Sequence, residues 1–86
     1  MSKYFMPGPV DPRKLRTLIA QAGYTHAEFA AEVHVDAMTV SRWTNGRTTI
    51  LPSRRQTILE ICAALGRRFG REVLPEELAK GRKVVR

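Results

Sequence analysis

A single cysteine, Cys62, among 86 residues removes an internal disulfide framework and any multi-cysteine zinc site. The two histidines, His26 and His34, are separated by a full seven residues with no third ligand nearby, so no metal site is expected. No apolar run approaches the ~20 residues needed to cross a bilayer. The stretch from Met1 to Val10 is broken by Pro7, Gly8 and Pro9 and lacks the apolar core of a signal peptide, so a cytoplasmic location away from membranes is expected. No glycine-rich phosphate loop occurs, and Ser41 has no base and orienting acid evident for it; neither an enzyme, a cofactor nor a small-molecule ligand is expected. Aromatic residues are few (three Phe, two Tyr, one Trp), which argues against a surface that stacks the splayed bases of RNA.

Acidic residues are also in deficit. Eight Asp and Glu face fifteen Lys and Arg, a formal net charge of +7. That balance favours an anionic partner, nucleic acid or an anionic membrane surface, and says nothing about fold. Distribution narrows the choice. From Ala37 to Leu59 there are four arginines (Arg42, Arg47, Arg54, Arg55) and no acid, whereas Thr25 to Asp36 hold three acids and no Lys or Arg. Such segregation by element suits one face that meets phosphates.

The apolar pattern has helical period. Residues 1–10 show none and form an expected flexible arm. Asp11-Pro12 then starts a helix over about 12–22, since Asp caps well and Pro is tolerated at the first position. Leu15, Leu18, Ile19 and Ala22 make its stripe, and Gly23 is a left-handed cap. Thr25-His-Ala-Glu28 is a capping box before a short helix that turns Phe29, Ala30 and Val33 inward. Asp36 caps a third helix over 37–45, with Val40 and Trp43 inward, Met38, Ser41, Arg42 and Asn45 outward, and Gly46 closing it. A loop over 47–52 leads to Ser53 and Gln56, a second capping box, and to a fourth helix whose stripe is Ile58, Ile61, Cys62 and Leu65, with Gly66 as its stop. Cys62 is expected to be an inert buried thiol. Arg67 to Leu74 reads as loop or short strand, Pro75 to Lys80 as one or two helical turns, and the basic tail to Arg86 as frayed. The expected fold is all-α, a compact bundle of four to five helices in one domain over 11–66, with 67–86 as a C-terminal extension available for dimerisation.

Two short helices joined by a tight turn, the second with a polar outer face, form a helix-turn-helix arrangement. Residues 26–45 resemble the twenty-residue unit of the lambda-repressor and Cro-like family: Ala30 is the small residue at the helix crossing, Val35 follows the turn, and Val40 and Trp43 are the core pair. Val40-Ser-Arg-Trp-Thr-Asn-Gly-Arg47 is similar to the family's end of helix three, and Leu59-Glu-Ile-Cys-Ala-Ala-Leu-Gly66 to its fourth helix; the resemblance spans roughly 12–66. It departs at His34, where the family has glycine; left-handed geometry there costs about 1 kcal/mol for another residue.

The resemblance implies that the third helix lies in the major groove of DNA, with Ala37, Met38, Ser41 and Arg42 reading bases. Arg42 suits the O6 and N7 acceptors of guanine, and Ala37 and Met38 suit a thymine methyl. Phosphate contacts are expected from Thr25, His26, Thr39, Asn45, Arg47, Arg54 and Arg55. The implied function is sequence-specific binding of double-stranded DNA at a palindromic operator, as a homodimeric transcriptional repressor of the phage, mobile-element or autoregulatory type acting by occlusion. Leu59 and Ala63, and the region from Phe69 to Val85, are the apolar material for a two-fold interface. The competing reading is a protein-binding helix-turn-helix module, an antitoxin or adaptor.

Overall fold

A computed structural model of the chain describes residues 4–80. Lys3, the basic tail and the Val84-Val85 pair therefore lie outside the described residues. Four α-helices follow in order: α1 (Pro12–Gln21), α2 (His26–Glu32), α3 (Ala37–Thr44) and α4 (Arg55–Phe69), with a short 3-10 turn over Pro75–Glu77. The fold is all-α; among the described residues the one β feature is an isolated bridge between Val10 and Ala79.

Each of the first three helices begins as its sequence dictates. The Asp11 carboxylate accepts from the Arg13 amide at 2.9 Å, Thr25 and Glu28 close a reciprocal capping box, and Asp36 accepts from the Thr39 amide at 2.9 Å. These bonds satisfy amides that a helix cannot pair internally. The stripes then meet in one core: Leu15 and Ile19 of α1, Phe29 and Ala30 of α2, Val40 and Trp43 of α3, and Ile58, Ile61, Cys62 and Leu65 of α4 are all buried. Helix α3 packs on both α2 and α1, while α4 lies beneath α2.

Tyr24, between α1 and α2, belongs to the core although its sequence position carries no periodic signal. Its hydroxyl donates to the Ala64 carbonyl at 2.9 Å and its ring meets Phe29 edge-on, 5.4 Å between centroids.

Helix α4 departs from expectation at both ends. A turn closes between the Arg54 amide and the Leu51 carbonyl, which moves the helix start past Ser53; Arg54 is the N-cap, without a side-chain cap bond, and Gln56 donates to Glu60 instead of closing a box. Gly66 does not stop the helix. The helix runs on to Phe69 and ends at Gly70, which takes the left-handed conformation at φ 70°. Gly66 serves the returning chain: a Cβ there would stand 2.8 Å from the Arg71 carbonyl oxygen. The missing side chain lets residues 71–74 cross close over the helix, so that Val73, Pro75 and Leu78 are buried in the same core.

Both ends of the described chain are drawn into that core as well. Val10 is buried; its amide donates to the Ile50 carbonyl at 3.0 Å, the Asp11 amide donates to Leu78 at 2.7 Å, and the Lys80 amide donates to Pro9 at 2.6 Å. Residues 8–10 and 79–80 thus form a clasp, and Tyr4 reaches further to donate its hydroxyl to the Pro52 carbonyl. The stretch expected as an arm is tied to the body from residue 4 onward.

Gly66→Ala should test the close crossing. Alanine in a helix interior normally gains about 1 kcal/mol over glycine, but forcing a methyl against a fixed carbonyl costs about 1–3 kcal/mol. The expected outcome in urea denaturation is net destabilisation by about 1 kcal/mol; a gain in stability would show that the carbonyl moves freely.

Candidate nucleic-acid interface

The turn between α2 and α3 places everything that follows. Val33 caps α2, and His34 lies in the left-handed region at φ 64°. The His34 amide donates to the Ala31 carbonyl and the Val35 amide to the Ala30 carbonyl, at 3.4 and 3.0 Å. That pair is the Schellman arrangement, in which a left-handed residue folds the chain back over the last helical turn. The same pair of bonds closes α1 at Gly23 and α3 at Gly46, both with φ 77°. His34 therefore does at the central turn what glycine does at the other two.

Helix α3 emerges with Val40, Trp43 and Thr44 buried and the opposite face open. Ala37, Met38, Arg42 and Asn45 are exposed, Met38 to 62%, and Ser41 is half-buried. Along this face Arg42 donates from Nη2 to the Met38 sulfur at 3.5 Å, and Asn45 donates to the Ser41 hydroxyl at 3.2 Å. A 62% exposed methionine beneath a guanidinium is an apolar and cationic pair side by side, the chemistry suited to a thymine methyl and a guanine edge. Thr39 lies apart from this face. Its hydroxyl donates to the Asp36 carboxylate at 2.6 Å and this bond, with the Thr39 amide and the charge of Arg42, holds Asp36 below the usual carboxylate range. The cap takes up the hydroxyl proton of Thr39, which braces the first turn of α3.

The residues expected at phosphates divide in the same way. At the start of α2 the capping box occupies the amides of Thr25 and Glu28, and the first-turn amides of His26 and Ala27 are left without intrahelical acceptors. Arg47 and Arg54 are exposed on either side of the loop that follows α3. Arg55 is engaged, with its guanidinium 4.5 Å from the centroid of the Tyr4 ring.

Charge is sorted by surface. On the side of α4 the cations are held: Arg67 pairs with Glu32 at 2.5 Å, Arg71 with Glu77 at 3.1 Å, and Arg68 covers the Tyr24 ring while donating to the Ala22 carbonyl. Glu77 is pushed up by its partial burial, yet the Arg71 hydrogen bonds, the Leu74 amide and the Arg71 charge outweigh this and hold it below the usual glutamate range. Around α3 the cations lack carboxylate partners. Arg13, Arg16, Arg42, Arg47, Arg54 and Lys80 form no ion pair among the described residues. Arg13, Arg16 and Lys80 were not among the candidates offered by the sequence; the i, i+3 spacing of the two arginines outside the buried Leu15–Ile19 stripe was legible, but nothing in the sequence brings Lys80 near them.

Other chemistry is weak here. Cys62 is pushed up to about 12 by burial, with a smaller contribution from the Glu77 charge, which makes its thiol a poor nucleophile. Among the described residues no group of three His, Cys, Asp or Glu could hold a metal ion, and no helix is long and apolar enough to cross a membrane.

The family model described as a helix-turn-helix domain matches residues 13–75. The chain belongs to the helix-turn-helix domain family, a family of DNA-binding regulators. The match runs past Gly66 and takes in the returning segment over 71–75, in keeping with the continuous core found there. Comparison with curated proteins and with solved structures gives no significant match.

His34→Gly should stabilise the protein by about 0.5–1 kcal/mol, because relief of roughly 1–2 kcal/mol of left-handed strain exceeds the added chain entropy of about 0.4–1 kcal/mol. Thermal denaturation measures it; destabilisation would mean that the imidazole makes a compensating contact.

Proposed function

We propose that the chain is a sequence-specific, double-stranded DNA-binding transcriptional regulator that represses as a homodimer on a palindromic operator. One observation carries the reading: the exposed face of α3 is bordered by cations that have no carboxylate partner, while on the α4 side Arg67 and Arg71 pair with carboxylates and Arg68 is held by the Tyr24 ring and the Ala22 carbonyl. Unpaired surface charge opposes folding by self-repulsion, and phosphates are the partner that relieves it. In this reading α3 occupies the major groove. Ala37, Met38, Ser41 and Arg42 meet base edges, and Asn45, Arg47, Arg54 and the start of α2 at Thr25 and His26 meet the backbone.

A palindromic operator follows from reach, because one such helix reads only a few base pairs and two half-sites about one helical turn apart supply the rest. Leu59 and Ala63, exposed on the flank of α4, are the apolar material for the two-fold contact. Val73 and Leu78, from the region that sequence offered for the same purpose, are buried in the protomer's own core. Repression needs occupancy alone, since a protein seated in the groove excludes polymerase. The antitoxin or adaptor reading is separated by measurement: it predicts no saturable binding to duplex DNA.

Arg42→Ala should weaken binding to the preferred site by about 1–3 kcal/mol and relax preference at one base pair, read by selection from a random duplex pool. An unchanged preference would remove Arg42 from the reading face. Arg47→Ala should instead weaken all sequences alike and lower the salt slope by about one in anisotropy titrations. A loss confined to one sequence would contradict its place on the backbone.

A further inference from the structure

Beside the C-terminal end of α3 lies a groove of about 470 Å³ lined by Asp11, Arg13, Arg16, Lys80 and the end of α3 itself. Three elements distant in sequence meet there. Arg13 and Arg16 come from the first two turns of α1, and Thr44 to Gly46 from the end of α3. The clasp supplies Lys80: its amide donates to Pro9, and Gly8 permits the approach, since a Cβ there would stand 2.7 Å from the Lys80 carbonyl oxygen. The groove holds three cations and one carboxylate. That carboxylate, Asp11, already accepts from the Arg13 amide as the cap of α1, and none of the three cations has an ion pair among the described residues.

The position of the groove relative to α3 gives it a use. At about 100° per residue, Thr39 and Thr44 lie about 140° apart across the buried side of the helix, so they bound its exposed face on opposite edges. On the Thr39 edge, Thr48, Thr57 and Arg54 line a second recess with Trp43. On the Thr44 edge stands the groove with Arg13, Arg16 and Lys80. A helix about 10–12 Å across fills a major groove about 12 Å wide, which leaves one sugar-phosphate rim against each edge.

We propose that Arg13, Arg16 and Lys80 form a second backbone clamp, which takes the phosphodiester rim opposite the one met by Arg54. The clamp rests on the DNA-binding reading above, and it adds a contact surface built from α1 and the clasped chain end. The clasp thereby couples fold to affinity, because it carries Lys80 to the interface.

The test compares the full-length protein with Arg13→Gln/Arg16→Gln and Lys80→Gln variants on a random-sequence duplex of about two helical turns, titrated by anisotropy between about 50 and 200 mM salt. All three residues are exposed, and circular dichroism checks that each variant folds. The double variant should bind on the order of tenfold or more weakly, with the slope of log affinity against log salt reduced by about 2, and Lys80→Gln should reduce it by about 1. Arg67→Gln, which removes a charge on α4 that pairs with Glu32 and does not line the groove, should leave the slope unchanged. If the original protein binds duplex and the clamp variants match it, or if Arg67→Gln lowers the slope equally, the clamp is overturned and DNA binding stands. If the original protein shows no saturable duplex binding, both readings fall together.

Discussion

The geometry of the interface depends on one backbone constraint, the left-handed residue that ends α2. His34 at φ 64° folds the chain so that its own amide and that of Val35 return to the last turn of α2, and only then can Asp36 cap a new helix three residues after α2's own cap. A right-handed residue at 34 would carry α2 forward and point Val40 and Trp43 away from Phe29 and Leu15. The exposed face of α3 is therefore a by-product of where its buried face must go. Because Val40 is fully buried and Trp43 nearly so, the rotation of α3 about its axis is set by core packing, and Met38, Ser41, Arg42 and Asn45 are presented outward as a consequence.

Stability and binding are assigned to different sides of so small a domain. The carboxylates pair with Arg67 and Arg71 on the α4 side, and the Arg68 guanidinium covers Tyr24, so that surface closes on itself. The α3 side keeps its cations unpaired from Arg13 to Lys80. Paired surface charges contribute little individually, so the fold is held chiefly by the buried stripes, the three Schellman turns and the clasp. The sorting of charge matters more for a partner: unpaired cations gathered at the edges of one helix raise the local potential for a polyanion more than the same charges spread evenly would.

Much of the fold, and the set of side chains that α3 turns outward, was legible in the sequence, because both rest on local rules. Capping by Asp11, Thr25 and Asp36, the helical stripes, and the strain at His34 each depend on residues within a few positions of one another. Where a competing turn or a returning segment of chain intervened, these rules failed. Ser53 looked like a cap, but the Leu51–Arg54 turn displaced the helix start; Gly66 looked like a stop, but the returning Arg71 carbonyl needed its missing side chain.

The sequence by itself determined the helices, their inward stripes and the outward chemistry of α3, since periodicity and capping act over one or two turns. Tertiary structure alone decided which cations stand together. Arg13, Arg16 and Lys80 meet because the Val10–Ala79 bridge and the Lys80–Pro9 hydrogen bond close the chain on itself across nearly its whole described length. No local rule reports such a contact, because its register is set by the backbone bonds and buried side chains of segments that become neighbours only when the core has formed.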